Sequence, residues 1–129
     1  MKTVAVSMKN RLFADGASLA LTRSGNFAAR AISHLPQENM LTECIAIKPD
    51  ILLIDITPTP PEMTLEGRLI TIAQIREVLP EIRVAVICDE TAYPTLAKEV
   101  VAAKQEGKID AFYYASITSD YLVAALDSI

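Results

Sequence analysis

Short apolar runs alternate along the chain with stretches whose apolar residues recur every three or four positions. Thr3 to Val6 (TVAV) reads as a first strand. A helix follows from about Asn10, with Phe13, Ala17 and Ala20 on one face. Ser24 to Asn26 form a turn, and FAARAIS from Phe27 is a weaker second strand. Pro36 opens a helix that carries Met40, Cys44 and Ile47 at helical spacing. Pro49 and Asp50 stop it, because proline disfavours helix in the residue before it. Ile51 to Asp55 (ILLID) is the third strand. Leu65, Leu69, Ile72, Ile75 and Leu79 mark an amphipathic helix, which Pro80 ends. IRVAVIC (Ile82 to Cys88) is the fourth strand, and TAYPTLAKEVVAAKQEG a fourth helix stopped by Gly107. DAFYYA (Asp110 to Ala115) is the fifth strand. Thr118 or Ser119 caps a last helix with Tyr121, Leu122, Ala125 and Leu126 inward.

This pattern is five β/α units in a single domain over residues 1–129. Alternating strands and helices imply a parallel sheet covered on both faces. A length of 129 residues suits one domain with a real core. A hydrophobic share of 51% and a mean hydropathy of +0.30 agree with elements covered on more than one side. The apolar runs are too short to span a membrane. Ser7 and Lys9 interrupt the start of the chain, which is therefore not a secretory signal and points to the cytoplasm. A net charge of −4, without a basic run, argues against direct nucleic-acid binding. Cys44 and Cys88 are not spaced as a metal or redox pair and read as buried free thiols. His34 is the only histidine, which excludes a histidine metal cluster, and it reads as a surface loop residue. Asp89 and Glu90 read as favourable charges at the start of the fourth helix.

The chemistry worth weighing lies at the strand ends. In open α/β sheets, ligands collect at the carboxyl ends of the strands. Asp55 stands at such an end, as do Ser7 with Met8, Cys88 with Asp89, and Ala115 with Ser116. An acid there also serves as a turn former or helix cap, so position alone leaves both roles open. Ser7 and Ser116 have no neighbouring base to make them nucleophiles. No glycine-rich phosphate loop is present. The residues show no catalytic constellation, and the chain is not read as an enzyme.

KPDILLIDITP (Lys48 to Pro58), LFADG (Leu12 to Gly16), LPEIRVAVICDE (Leu79 to Glu90) and IDAFYYASITSDYLVAAL (Ile109 to Leu126) carry a resemblance over essentially the whole length. The chain resembles the receiver domain of two-component response regulators, those with a DNA-binding domain above all. The resemblance implies a (βα)5 flavodoxin-like, doubly wound parallel sheet in the order 2-1-3-4-5. It implies that Asp55 is the phosphoacceptor, attacking a phosphohistidine on a sensor histidine kinase. The family also supplies an acidic pair after the first strand, Ser or Thr after the fourth and Lys after the fifth. Here those positions hold Ser7 and Met8, Cys88, and Ala115. Asp15, further into the first helix, is a poor replacement, and Lys9 is near the site at the wrong sequence position. Pro58, Pro60 and Pro61 crowd the loop, and the expected glycine comes late, at Gly67, which suggests an insertion.

With Asp55 as the one carboxylate and the Thr57 carbonyl as a further ligand, any Mg²⁺ site is weak. An acyl phosphate without lysine loses a charged hydrogen bond worth about 1.5–3 kcal/mol, and the Cys88 thiol donates only weakly. The expectation is a degenerate receiver, without a cofactor, that acts by protein contact. In the family the fourth helix, fifth strand and last helix form the docking face. Here that face draws on Tyr93, Lys98, Glu99, Phe112, Tyr113 and Asp120. The implied partners are a sensor histidine kinase or other signalling protein, a DNA-binding effector domain outside this chain, and a second copy as a homodimer. The role implied is bacterial transcription control. The alternative is a flavodoxin-like module for a flavin or cobalamin, for which SMKNR (Ser7 to Arg11) is a poor phosphate loop.

Overall fold

The computed structural model describes all 129 residues. The strands are β1 (Lys2–Ser7), β2 (Phe27–Ala31), β3 (Ile51–Asp55), β4 (Arg83–Cys88) and β5 (Ala111–Tyr114). The helices are α1 (Arg11–Arg23), α2 (Gln37–Ile47), α3 (Leu65–Val78), α4 (Pro94–Gln105) and α5 (Ser119–Asp127), with a 3₁₀ turn at Pro61–Met63 before α3. All strands pair in parallel, in the order β2-β1-β3-β4-β5. This is the doubly wound (βα)5 topology expected from the sequence.

Strand alternation divides the core in two. Val4, Val6, Leu53 and Ile87 face α1 and α5, where Ala14, Ala17, Leu21, Leu122 and Leu126 meet them. Ala5, Leu52, Ile54 and Val86 face Met40 and Cys44 of α2, Ile72 and Ile75 of α3, and Val100 of α4. β3 lies between β1 and β4 and is covered on both sides. That is why Ile51 to Ile54 form an unbroken apolar run. Each such side chain contributes about 1.5–3 kcal/mol by leaving water. No helix is long and apolar enough to cross a membrane.

Side-chain caps set the start of three helices. The side chains of Asn10, Thr64 and Thr118 accept from the backbone amides of Phe13, Gly67 and Tyr121. Thr118, rather than Ser119, is the cap of α5. Tyr121, expected inward, is 63% exposed, and Phe13, expected on the face of Ala17 and Ala20, is 38% exposed. Each precedes a buried residue, Leu122 and Ala14, and one residue rotates a helical side chain by about 100°. The small residues Ala14, Ala17 and Ser18 let α1 lie close to the sheet, and Phe13 is left at its edge.

β2 ends at Ala31 rather than Ser33, although the Ile32 amide still donates to the Val6 carbonyl. α4 begins only at Pro94, because proline fits the first helical position and restricts Tyr93 before it. Asp89 therefore does not cap α4. Its Oδ1 accepts from the amides of Thr91 and Ala92 and closes the preceding turn. Gly107, at φ 74°, follows α4 as its expected stop.

Candidate functional site

The register of β1 and β3 sets Ser7 beside Ile54, so Ser7 and Asp55 emerge together at the carboxyl edge of the sheet. The backbone amide of Lys9 donates to both Asp55 carboxylate oxygens at 3.2 Å. The cation at this site comes from α3. Arg68 is 3% exposed and lies against Asp55, whose side chain is 19% exposed. Its Nε donates to the Asp55 carbonyl at 3.1 Å, and Nη1 to Ser7 Oγ at 3.1 Å. Its Nη2 donates to the Ser7 carbonyl at 2.8 Å and to Asp55 Oδ1 at 3.2 Å. Ser7 Oγ in turn donates to the Ser33 carbonyl at 3.0 Å. Each guanidinium nitrogen thus has an oxygen partner in β1 or β3.

Local sequence explains how Arg68 arrives there. Thr64 caps α3, and the first turn of α3 packs on the 3₁₀ turn through Gly67. A Cβ at Gly67 would run into the Pro61 carbonyl oxygen and come within 2.9 Å of the Glu62 backbone. Arg68 is the next residue and faces the sheet with Leu65, Ile72 and Ile75. Burial pulls its guanidinium below the ordinary pKa, and the neighbouring Asp55 charge works in the opposite direction. Asp55 is therefore not the lone charge that the strand-end residues suggest. Arg68 lies at helical spacing from Leu65 and Ile72, on the apolar stripe. A cation on that stripe, one helix after the acid, is the signal that points to it.

The donor set does not suit Mg²⁺, which demands near-octahedral oxygen ligation. Met8 is 2% exposed and packs into the α1/α5 core without offering an oxygen. The Ser7 carbonyl and hydroxyl already accept from Arg68. A fixed guanidinium 3.2 Å from Asp55 Oδ1 also repels a dication. No group of three or more His, Cys, Asp or Glu side chains is placed to hold a metal. Thr57 turns inward on its own loop, its hydroxyl donating to the Thr59 carbonyl and its amide to the Met63 carbonyl.

Above Asp55 lies a cleft of about 520 Å³, with Phe13, Tyr93, Lys9, Asp89 and Ala115 among its walls. Parallel strands in the order 2-1-3-4-5, an acid at the end of β3 and helices on both faces decide the architecture. The fold is that of a response-regulator receiver domain. A Staphylococcus aureus DNA-binding response regulator of the LuxR family superposes with a TM-score of 0.72. It is 17% identical, over 99% of this chain and 98% of that one. The receiver domain of the putative Mycobacterium tuberculosis regulator NarL gives 0.72 at 22% identity, over 98% and 94%. A member of a family of streptococcal redox sensors evolved from two-component response regulators gives 0.76 at 14% identity, over 99% and 50%. No protein-family model matches the chain. No curated protein matches it in sequence.

On this receiver fold, Cys88 is fully buried and faces the α2/α3/α4 side. Burial raises its pKa, and the charges of Glu90 and Asp89 add to the effect. Cys44 is buried as well, and both thiols are free. Asp15 pairs with Arg11 on the exposed side of α1, away from Asp55. His34 sits half-buried in the loop after β2.

Of the residues suggested for a docking face, Phe112 and Tyr113 line one surface cleft together with Tyr114 and Tyr121. Phe112 packs towards the α2/α3/α4 core and meets Tyr114 edge to face, with ring centroids 5.9 Å apart. Tyr113 points to the opposite face of β5, towards α1 and α5. Lys98 and Asp120 are exposed on α4 and α5. Tyr93 belongs to the Asp55 cleft, and Glu99 lines a groove between α3 and α4.

Proposed function

We propose that this chain is a receiver-fold signalling module whose acceptor site is held by an internal cation, and that it works by protein contact rather than by phosphoryl transfer. Arg68 carries this reading. Phosphoryl transfer to a carboxylate needs preorganised cationic groups that are free to meet the charge developing on the phosphoryl oxygens. In this chain the buried guanidinium is committed to Ser7 and Asp55. The Lys9 amide adds a further donor to the same carboxylate. The pair joins β3 to α3 constitutively, a link that phosphorylation does not need to create. A sensor kinase, if one is a partner, docks without transferring a phosphoryl group. The DNA-binding description of the S. aureus structure supports transcription control through an effector domain or a separate regulator.

Flavin or cobalamin binding has less support. The loop that would receive a phosphate begins at Met8, and its Lys9 amide is already engaged by Asp55. The test is incubation of the purified chain with acetyl phosphate and Mg²⁺, followed by intact-mass measurement. The expected result is an unmodified chain. Stable, stoichiometric phosphorylation that disappears in Asp55→Asn would refute the proposal.

A further inference from the structure

β5 is an edge strand, and its sequence AFYY is aromatic where exposed edges commonly carry charge. Strand alternation puts Phe112 and Tyr114 on one face, where their rings meet edge to face, and Tyr113 on the other. Thr118 caps α5 and thereby sets Tyr121 in its first turn. With the β5–α5 loop, these four rings line one cleft of about 410 Å³ that reaches round the edge of β5. Tyr114 is 43% exposed, and Tyr121 more so.

Two properties of this cleft define what fits it. No charged residue lines it, although 22% of the chain is charged. Its side-chain polar groups are hydroxyls. The hydroxyls that donate within the chain belong to serine and threonine, so those of Tyr113, Tyr114 and Tyr121 are free to donate outward. Burial raises the pKa of the Tyr113 hydroxyl and neighbouring Tyr121 adds to the effect, which keeps it a donor. A charged group entering here would lose its water and gain no counter-charge. A helix would bring carbonyls already committed to its own amides. A polyproline II segment has no internal hydrogen bonds, so its carbonyls are open to hydroxyl donors. Its rings lie on aromatic faces at little entropic cost, and proline has no N–H to leave unpaired.

We propose that the cleft between β5 and α5 docks a proline-rich segment of a partner protein in the polyproline II conformation. This rests on the reading above only in that the chain acts by protein contact. It does not depend on the state of Asp55.

Titration of the chain with a short polyproline peptide tests it, against a glycine–serine peptide of the same length. Three of the 4 tyrosines line the cleft and the chain has no tryptophan, so tyrosine fluorescence reports on binding, with calorimetry as a second readout. The polyproline peptide is expected to bind saturably, and the glycine–serine peptide at least about 10-fold more weakly. Tyr121→Ala, at an exposed position, weakens binding by about 10-fold or more. Tyr121→Phe, which removes only the hydroxyl, weakens it about 2- to 10-fold. Ile70→Ala, at an exposed position of α3 outside the cleft, leaves it unchanged. Raising salt from about 0.05 to 0.5 M changes the affinity less than about 2-fold, because no charge lines the cleft. Circular dichroism confirms that each variant is folded. No saturable polyproline binding overturns the proposal, as does equal binding of the glycine–serine peptide or binding that survives Tyr121→Ala. Self-association in sedimentation equilibrium that Tyr121→Ala abolishes would assign the cleft to a second copy and overturn it too. Failure of the Asp55 reading would appear as phosphorylation and leave these titrations untouched.

Discussion

Replacing Arg68 by methionine keeps much of the side-chain volume and removes the charge. The structure sets the size of the effect. Four hydrogen bonds are lost, two to Ser7 and two to Asp55. The Asp55 carboxylate keeps only the Lys9 amide in a site where its side chain is 19% exposed. Removing one partner of a buried ion pair costs about 3–5 kcal/mol. Water reaches one side of Asp55, so the lower end applies, about 3 kcal/mol. Asp55→Asn leaves the buried guanidinium without its counter-charge but with an amide oxygen to donate to, and costs about 2 kcal/mol. The double variant carries neither unpaired charge, and it recovers about 1–2 kcal/mol relative to the sum. Against a total stability of about 5–15 kcal/mol for a domain, these losses are large. Urea unfolding followed by circular dichroism measures all four proteins. A loss below about 1 kcal/mol for Arg68→Met, or strict additivity in the double variant, would show that the pair does not hold α3 to the sheet.

Two further outcomes follow from the same geometry. Gly67→Ala forces a methyl group against the backbone of Pro61 and Glu62, and it is expected to cost about 1–3 kcal/mol by displacing the first turn of α3. Thermal unfolding checks this, and an unchanged midpoint would contradict the close approach. Burial pushes the Cys44 thiol from 9.0 up to about 11, so in this range the unfolded chain loses its proton first. The native state therefore loses stability as pH rises from about 9 towards 11, by up to about 1.4 kcal/mol per pH unit from this group. Urea midpoints across that range should fall more steeply for the wild type than for Cys44→Ala, and parallel curves would remove Cys44 from the account.

The architecture was legible in the sequence because β3 is covered on both faces, and its apolar run Ile51 to Ile54 could belong only to a central strand. Punctuation also carried information: Pro36, Pro80 and Gly107 lie where α2 begins, β4 approaches and α4 has ended. What local reading misjudged was rotation about helix axes. Phe13 and Tyr121 are apolar enough to suggest burial, yet each is one residue out of phase with the inward stripe.

The site was only half legible. Asp55 and the substituted positions Ser7, Met8, Cys88 and Ala115 follow from strand ends, which sequence order locates well. Arg68 does not, because it enters from α3 through a fold-back that depends on Gly67 packing against Pro61. A search for charge limited to strand ends misses a cation delivered from a helix. The prolines that crowd the loop and the late glycine were the visible trace of this delivery. Their purpose becomes clear only when the 3₁₀ turn is seen to set the start of α3.

The central claim is that the Arg68 guanidinium stands at Asp55 where a divalent cation would otherwise be needed. The most direct test is a nuclear magnetic resonance titration of the labelled chain with Mg²⁺ and beryllofluoride, following the Lys9 amide that donates to Asp55. The account predicts that this resonance and those of its neighbours remain in place. A saturable shift at Lys9, accompanied by movement of the β4–α4 loop, would contradict it.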